Sequence, residues 1–391
     1  MFLISHFFNF ADMDAPFDYF DYVTGPHFIG REKEVSEFCR LIEERRNILI
    51  YNQARTGKKS IIYNSFRELD RRGYRYALIG MNLFNIRCIE TFMIRYTNHI
   101  VGKFARSGME WSDYLMKYIP SAPYIVKERE KPGGTPYFTY NSKELLSDAM
   151  ICEFLNLPER IATDLNCHIV LYFEQFQDIS LFDDSDRIFS LFEKMWSRHS
   201  HVSYIITGER KNAMDEIFEQ KKYFYNLVEQ IEVVPIERRV FVNHIVKRFL
   251  KGGKVIRPEQ AGYIYDTLEG DPWYVQHLSS ICYDMTIGYL EERTIDLALR
   301  NLINLHDFSF HTIAFGLSKH QLRFIKALLD GVKKFSSADI LDKYKLNSSA
   351  NVNRLKEALQ KKEIITYNKN RAIVIMDPLL KHWFIKYYFE K

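Results

Sequence analysis

The sequence predicts an α/β fold: a parallel β-sheet flanked by helices, followed by a small helical domain and a C-terminal winged helix-turn-helix. Three observations carry this. Short apolar runs at 47–51 (NILIY), 74–83, 168–179 and 201–209 alternate with stretches of helical spacing, the order of a parallel sheet with crossover helices. After Pro235 the text turns helical, over 241–253 and 256–285, without strand-like runs. From Leu317 three helical segments precede two short strands that turn at Asn368-Lys369-Asn370.

Each element has its own signal. Residues 1–12 are apolar without helical or strand periodicity. Arg31 to Glu44 carries Val35, Phe38, Leu41 and Ile42 at helical spacing. Lys59 to Gly73 reads as a helix closed by its glycine. Cys88 to Tyr118 and Ser142 to Leu165 also read as helix. Between them, 119–142 is rich in Pro and Gly around Gly133-Gly134, which predicts a hairpin-like insertion. The expected partition is an N-terminal extension (1–15), a sheet domain (16–235), a helical lid (236–312) and a winged helix (313–391).

Composition narrows the function classes. The 391 residues are 47% hydrophobic and 27% charged, and mean hydropathy is −0.27. No run of about 18 apolar residues predicts a membrane helix. The apolar start lacks a basic leader and a small-residue cleavage site, which argues against a secretory signal. Five scattered cysteines without a CxxC pair argue against structural zinc and a disulfide framework, and for a reducing cytoplasm. A net charge of +4 gives no polyelectrolyte signal for the chain as a whole. The 30 Phe and 25 Tyr read as core material.

The most informative stretch is NILIYNQARTGKKSII, 47–62. An apolar strand, a polar loop and Gly-Lys opening a helix have the form of a phosphate loop, G-x-x-x-x-G-K-[ST]. Such a loop surrounds phosphates with backbone N–H groups and a helix N-terminus. Gly57 permits the close turn, and Lys58 supplies charge for the terminal phosphates. Two positions depart: Asn52 replaces the first glycine, and Lys59 replaces the metal-binding hydroxyl. At the end of the run 168–179, Glu174 is placed to hold Mg2+ through water. Gln175 beside it cannot accept a proton at neutral pH.

The chain resembles the archaeal-type ATPases of the STAND branch of AAA+-like P-loop NTPases, from about Pro16 to Trp383. The markers are FIGREKEV (28–35), RTGKKS (55–60), FQDI (176–179), IITGE (205–209), GDP (270–272) and the terminal DPLLKHWF. The resemblance implies that Phe28, Ile29, Gly30 and Arg31 lie near an adenine, and that Pro272 reaches the base. It implies that Asn52, Gln53, Ala54, Arg55, Thr56, Gly57, Lys58, Lys59 and Ser60 cradle the phosphates of ATP or ADP. It also implies a switch in which nucleotide bridges the sheet domain and the lid. The departures concern the metal hydroxyl (Lys59), the acid pair (Glu174-Gln175) and the position after the fourth strand's glycine (Glu209). Three changes at one site point to relaxed selection on hydrolysis.

The expected function is therefore an adenine-nucleotide-binding switch or scaffold with weak or lost ATP hydrolysis, a degraded Mg2+ site, an unidentified protein partner and no membrane association. Two alternatives remain open: a slow Mg-dependent ATPase, and a winged-helix DNA-binding regulator with a vestigial nucleotide site. For the latter, Asn351, Asn353, Arg354 and Lys356 of the third winged-helix helix are the candidates. His168, His199 and His201 share no metal spacing and read as ordinary core or surface histidines.

Overall fold

A computed structural model describes residues 16–20, 22–120, 125–128, 136–139 and 146–389. The chain divides into two compact units: residues 33–54 with 61–233, and the described part of 1–32 with 55–60 and 234–391.

The first unit is built on a five-stranded sheet. Its elements run α1 (Glu32–Glu43), β1 (Asn47–Tyr51), α2 (Lys58–Arg71), β2 (Ala77–Asn82), α3 (Ile89–Phe104), α4 (Gly108–Tyr118), β3 (Ile125–Glu128) and β4 (Pro136–Thr139). They continue with α5 (Asp148–Leu155), α6 (Leu157–Asp164), β5 (Ile169–Glu174), α7 (Ser185–Trp196), β6 (Val202–Gly208), α8 (Lys211–Asp215) and β7 (Val228–Gln230). The strand order is β2-β5-β6-β1-β7, and every pair in this sheet is parallel. Period-two alternation sends successive side chains to opposite faces, so each central strand supplies two cores. Leu49, Tyr51, Met81, Phe173, Tyr204 and Ile206 face one core; Ile48, Ile50, Val170, Tyr172 and Ile205 face the other. Aromatic side chains fill much of the first of these cores. Trp196 stacks on Tyr204 at 4.0 Å and on Phe173 at 5.8 Å between ring centres.

Several boundaries differ from the sequence expectation. The run 168–179 is not one strand. β5 ends at Glu174, Gln175 takes a left-handed conformation (φ 59°), and Phe176–Leu181 forms a 3-10 turn. Cys88 to Tyr118 is two helices, with the Ser107 hydroxyl accepting from Glu110 N–H at the start of α4. Of the expected helix 142–165, residues 142–145 lie outside the described residues and the remainder also divides, with Pro158 in the first turn of α6, where its missing N–H costs nothing. β7 was not expected. The insertion does contain an antiparallel hairpin, β3 with β4. Its Gly133-Gly134 turn lies outside the described residues, as does the extension 1–15.

The second unit is helical apart from one hairpin: α9 (Arg238–Lys251), α10 (Pro258–Thr267), α11 (Pro272–Met285), α12 (Glu292–Phe315), α13 (Lys319–Leu329), α14 (Ala338–Lys343), α15 (Ser349–Lys361), β8 (Ile365–Tyr367), β9 (Ile373–Ile375) and α16 (Pro378–Trp383). One core runs through it, from Phe17 and Phe249 by way of Val275, Leu302 and Ile303 to Trp383. The long helix α12 crosses the 312/313 position at which the lid was expected to end. Its Asp307 accepts from Trp383 Nε1 at 2.7 Å, so α12 belongs to the same core as the C-terminal helix α16. The hairpin β8–β9 is antiparallel and turns over 368–372, where Asn368 Oδ1 accepts from Asn370 and Ala372 N–H. Among the described residues no helix is long and apolar enough to cross a membrane.

Candidate functional site

The loop after β1 turns at a glycine with positive φ before α2 begins. Gly57 has φ +91°, and open space lies where a Cβ would project. Glycine is thus needed there for its dihedral, not for crowding. Lys58 opens α2 and is buried; Lys59 beside it is half-buried. Lys58 Nζ donates to Thr56 Oγ1 at 3.4 Å. Ser60 is buried, and its hydroxyl accepts from the N–H of Val23 at 3.0 Å.

Asn52 does not simply stand in for a glycine. Its Oδ1 accepts from Gln53 N–H at 2.8 Å, and its Nδ2 donates to the Val233 carbonyl at 2.8 Å. The amide therefore fastens the start of the loop to the chain beyond β7. Ala54 is exposed.

Arg55 takes a left-handed conformation (φ 65°), and its guanidinium carbon lies 4.0 Å above the centre of the Trp273 ring. That contact joins the loop to the residue after Pro272. Trp273 donates its indole N–H to the Tyr19 carbonyl, and the Tyr19 ring stacks on His277 at 4.2 Å. Asp271 caps α11, accepting from Trp273 and Tyr274 N–H at 3.0 and 2.9 Å. Burial, with Asp377 nearby, pushes its carboxyl up to about 7. Tyr274 OH donates to Asp377 Oδ2 at 2.8 Å, and Asp377 in turn caps α16. Trp273, Tyr274 and Asp377, which these contacts tie to Arg55 and Pro272, were not among the residues singled out from the sequence. The capping pattern Asp-Pro at 271–272 and 377–378 was the available signal.

Of the segment 28–31, Gly30 (φ +63°) is the most constrained. A Cβ there would lie 2.8 Å from Ile236 Cγ2 and 3.3 Å from Val240 Cγ1. Ile29 packs against the same helical core, Arg31 is buried and Phe28 is half-buried.

On the sheet unit, Glu174 ends β5 and Asn82 pairs with it at the end of β2. Glu174 Oε2 accepts from Asn82 Nδ2 at 3.0 Å and Oε1 from Tyr172 OH at 2.9 Å. Both of these donors are neutral. Gln175 Nε2 donates to Glu209 Oε2 at 2.8 Å, and its Oε1 accepts from Gln177 Nε2 at 2.7 Å. Side chains from the ends of β2, β5 and β6 thus gather at the carboxyl edge of a parallel sheet, where such folds bind ligands. Among the described residues no group of three or more His, Cys, Asp or Glu is arranged to hold a metal.

The four winged-helix candidates divide. Asn353 and Arg354 are exposed on α15. Asn351 Nδ2 is turned back onto the Leu346 carbonyl at 3.0 Å, and half-buried Lys356 reaches toward the Phe335 ring at 5.9 Å.

Residues 308–386 match the family model described as a probable winged helix domain. No curated protein matches the chain. Among solved structures, it is similar to the Walker-type ATPase of Pyrococcus abyssi, with TM-score 0.62, 14% identity, and 94% of this chain and 99% of that one covered. It is also similar to the ORC2 protein of Aeropyrum pernix, solved in ADPNP–ADP complexes, with TM-score 0.53, 13% identity, and 92% and 93% covered. At such identities the likeness concerns fold. The chain shares with these two proteins its fold, a parallel five-stranded sheet with helices followed by a helical region and a C-terminal winged helix.

Proposed function

We propose that this chain is a STAND-type adenine-nucleotide-binding switch or scaffold with weak or lost hydrolysis, organised as a nucleotide domain (16–235), helical lid (236–312) and winged helix (313–391). The observation that carries it is the loop backbone: Gly57 at φ +91° with open space beside it, followed by Lys58 at the first turn of α2. Backbone N–H groups at a helix start, with one lysine, suit a polyphosphate. The acidic side suits turnover less well. Gln175 cannot act as a base, and its amide is committed to Glu209 and Gln177. The nucleotide complexes of the ORC2 protein on the same fold favour ATP or ADP as the ligand.

Calorimetry of the purified protein with ATP and ADP tests the reading, alongside a turnover assay. Binding below about millimolar Kd with turnover well under about 1 s⁻¹ is expected. Failure to bind either nucleotide overturns the site. Turnover at about 1 s⁻¹ or faster overturns the loss of hydrolysis and leaves an ATPase.

A further inference from the structure

The helix α12 has two apolar sides. One buries Ile295, Leu299, Leu302, Ile303 and Phe310 in the core of the helical unit. The other faces outward. Leu297, Asn301, Leu305, Phe308, Thr312 and Phe315 follow at intervals of three or four residues, which aligns them on one side of a helix. All six are exposed, Phe308 at 86% and Phe315 at 95%. Met285 adjoins this row through Asn301, whose Nδ2 lies 3.8 Å from its sulfur. Ile287 and Tyr289, in the turn before α12, are exposed as well. Apolar residues scattered singly on a surface need no explanation, but a contiguous row marks an interaction surface.

The row is complementary to itself. Let Leu305 face Asn301 of a second α12 running antiparallel. Leu305 then also covers the partner's Met285, Leu297 falls beside the partner's Phe308, and Phe315 reaches the turn that holds Ile287 and Tyr289. The same register sets opposite charges together. Asp296, Arg300, Asp307 and His311 lie along one flank of the row, and antiparallel pairing brings equal flanks side by side. Arg300 meets the partner's Asp307, and Asp296 the partner's His311. Asp296 and Arg300 are exposed, and no ion pair among the described residues engages either. A parallel pair would instead set Asp307 against Asp307. One register that satisfies both the apolar row and its charged flank is the mark of an isologous contact, and favours a second copy over an unrelated protein.

We propose that the chain forms a two-fold dimer in which α12 packs antiparallel on α12 of a second copy through Leu297, Leu305, Phe308 and Phe315. The helix face offers about 36 Å by about 10 Å, or about 360 Å² per copy. That is well under the roughly 800 Å² per partner of a stable complex, so the dimer dissociates in the micromolar range. This inference does not rest on the nucleotide reading.

Sedimentation equilibrium of the full chain between about 1 and about 300 µM tests it, with half-association expected near about 10 µM. The average mass should rise from 46.6 kDa toward twice that value. Phe308→Asp and Leu297→Lys should each raise the dissociation constant at least about 30-fold. An equimolar mixture of the two variants should associate more tightly than either alone, because the introduced carboxylate then faces the introduced ammonium across the pair. Tyr225→Asp alters an exposed aromatic of the sheet unit, and should dimerise as the parent does. Each variant is used only if its melting temperature matches the parent's. A parent that stays monomeric across the range leaves the face to a different partner and overturns the proposal. Equal loss in the Tyr225 control overturns it too, as does a mixture no tighter than its components.

Discussion

Lys59 occupies the position at which a phosphate loop normally presents a metal-binding hydroxyl. A protonated lysine has no lone pair for a metal. On the proposed nucleotide reading, its ammonium, with that of Lys58, would offset part of the polyphosphate charge directly. Nucleotide affinity should therefore be nearly equal in Mg2+ and in EDTA, and Lys59→Thr should make it Mg2+-dependent. Calorimetry that finds strong Mg2+ dependence in the parent removes this role. Gln175 carries the second residue-scale prediction. Gln175→Glu should not restore turnover to about 1 s⁻¹. It replaces the 2.8 Å amide–carboxylate bond to Glu209 with two facing carboxylates, which cannot both ionise cheaply. If that conflict is what limits the variant, Gln175→Glu with Glu209→Gln should be the more stable of the two by melting temperature, and a lower value for the double variant would count against it.

At the scale of elements, local signals explain what was legible. NILIY and the Gly-Lys helix start were readable because a buried strand and a glycine turn into a helix each impose local composition. The wing was readable from Asn368 to Asn370. β7 was not, because three residues on a sheet edge (Val-Glu-Gln) show no periodicity. The end of β5 was hidden because Gln175 leaves the strand by its own backbone conformation within an apolar run. Arg55 on Trp273, and Asn52 on Val233, join residues too distant in sequence for any spacing rule. The cap of α11 gives a test at this scale. The Asp271 carboxyl is pushed up to about 7 from its ordinary 3.8, so folding favours its neutral form. Its stabilisation is fully present below about pH 4 and is lost as pH rises through 7. Asn caps as well as Asp but does not titrate. Asp271→Asn should therefore gain melting temperature relative to the parent between pH 5 and pH 8. A constant offset across that range would show that Asp271 does not titrate there.

At the scale of the whole molecule, pH acts in the opposite sense through histidines in both units. His168 and His199 lie in the sheet unit, His244 and His277 in the helical one, and burial lowers each to about 4. The causes are structural. His168 is held between Tyr74 OH at 3.0 Å and Ser203 Oγ at 2.9 Å, and His199 between Tyr204 OH and Asn156 Oδ1. His244 Nε2 is buried without a hydrogen-bond partner among the described residues, and the ring meets Phe17 and Phe241 edge-on. A base whose folded value is depressed stabilises the fold above its unfolded value of 6.5, and that stability is lost as pH falls toward 4. For the nearly fully buried His168 and His244 the loss is about 2 kcal/mol each at pH 5. Four such groups outweigh the opposing carboxyls of Asp271 and Asp178, both raised by burial. The chain should therefore melt progressively earlier between about pH 6.5 and pH 4, with both units affected. His244→Leu removes one titrating group without stranding a hydrogen-bond partner of its Nε2. It should narrow the difference in melting temperature between pH 7 and pH 5, whereas the parent's melting temperature should fall over that interval. A parent whose melting temperature is flat from pH 7 to pH 5 would mean that these imidazoles are not held neutral by the fold.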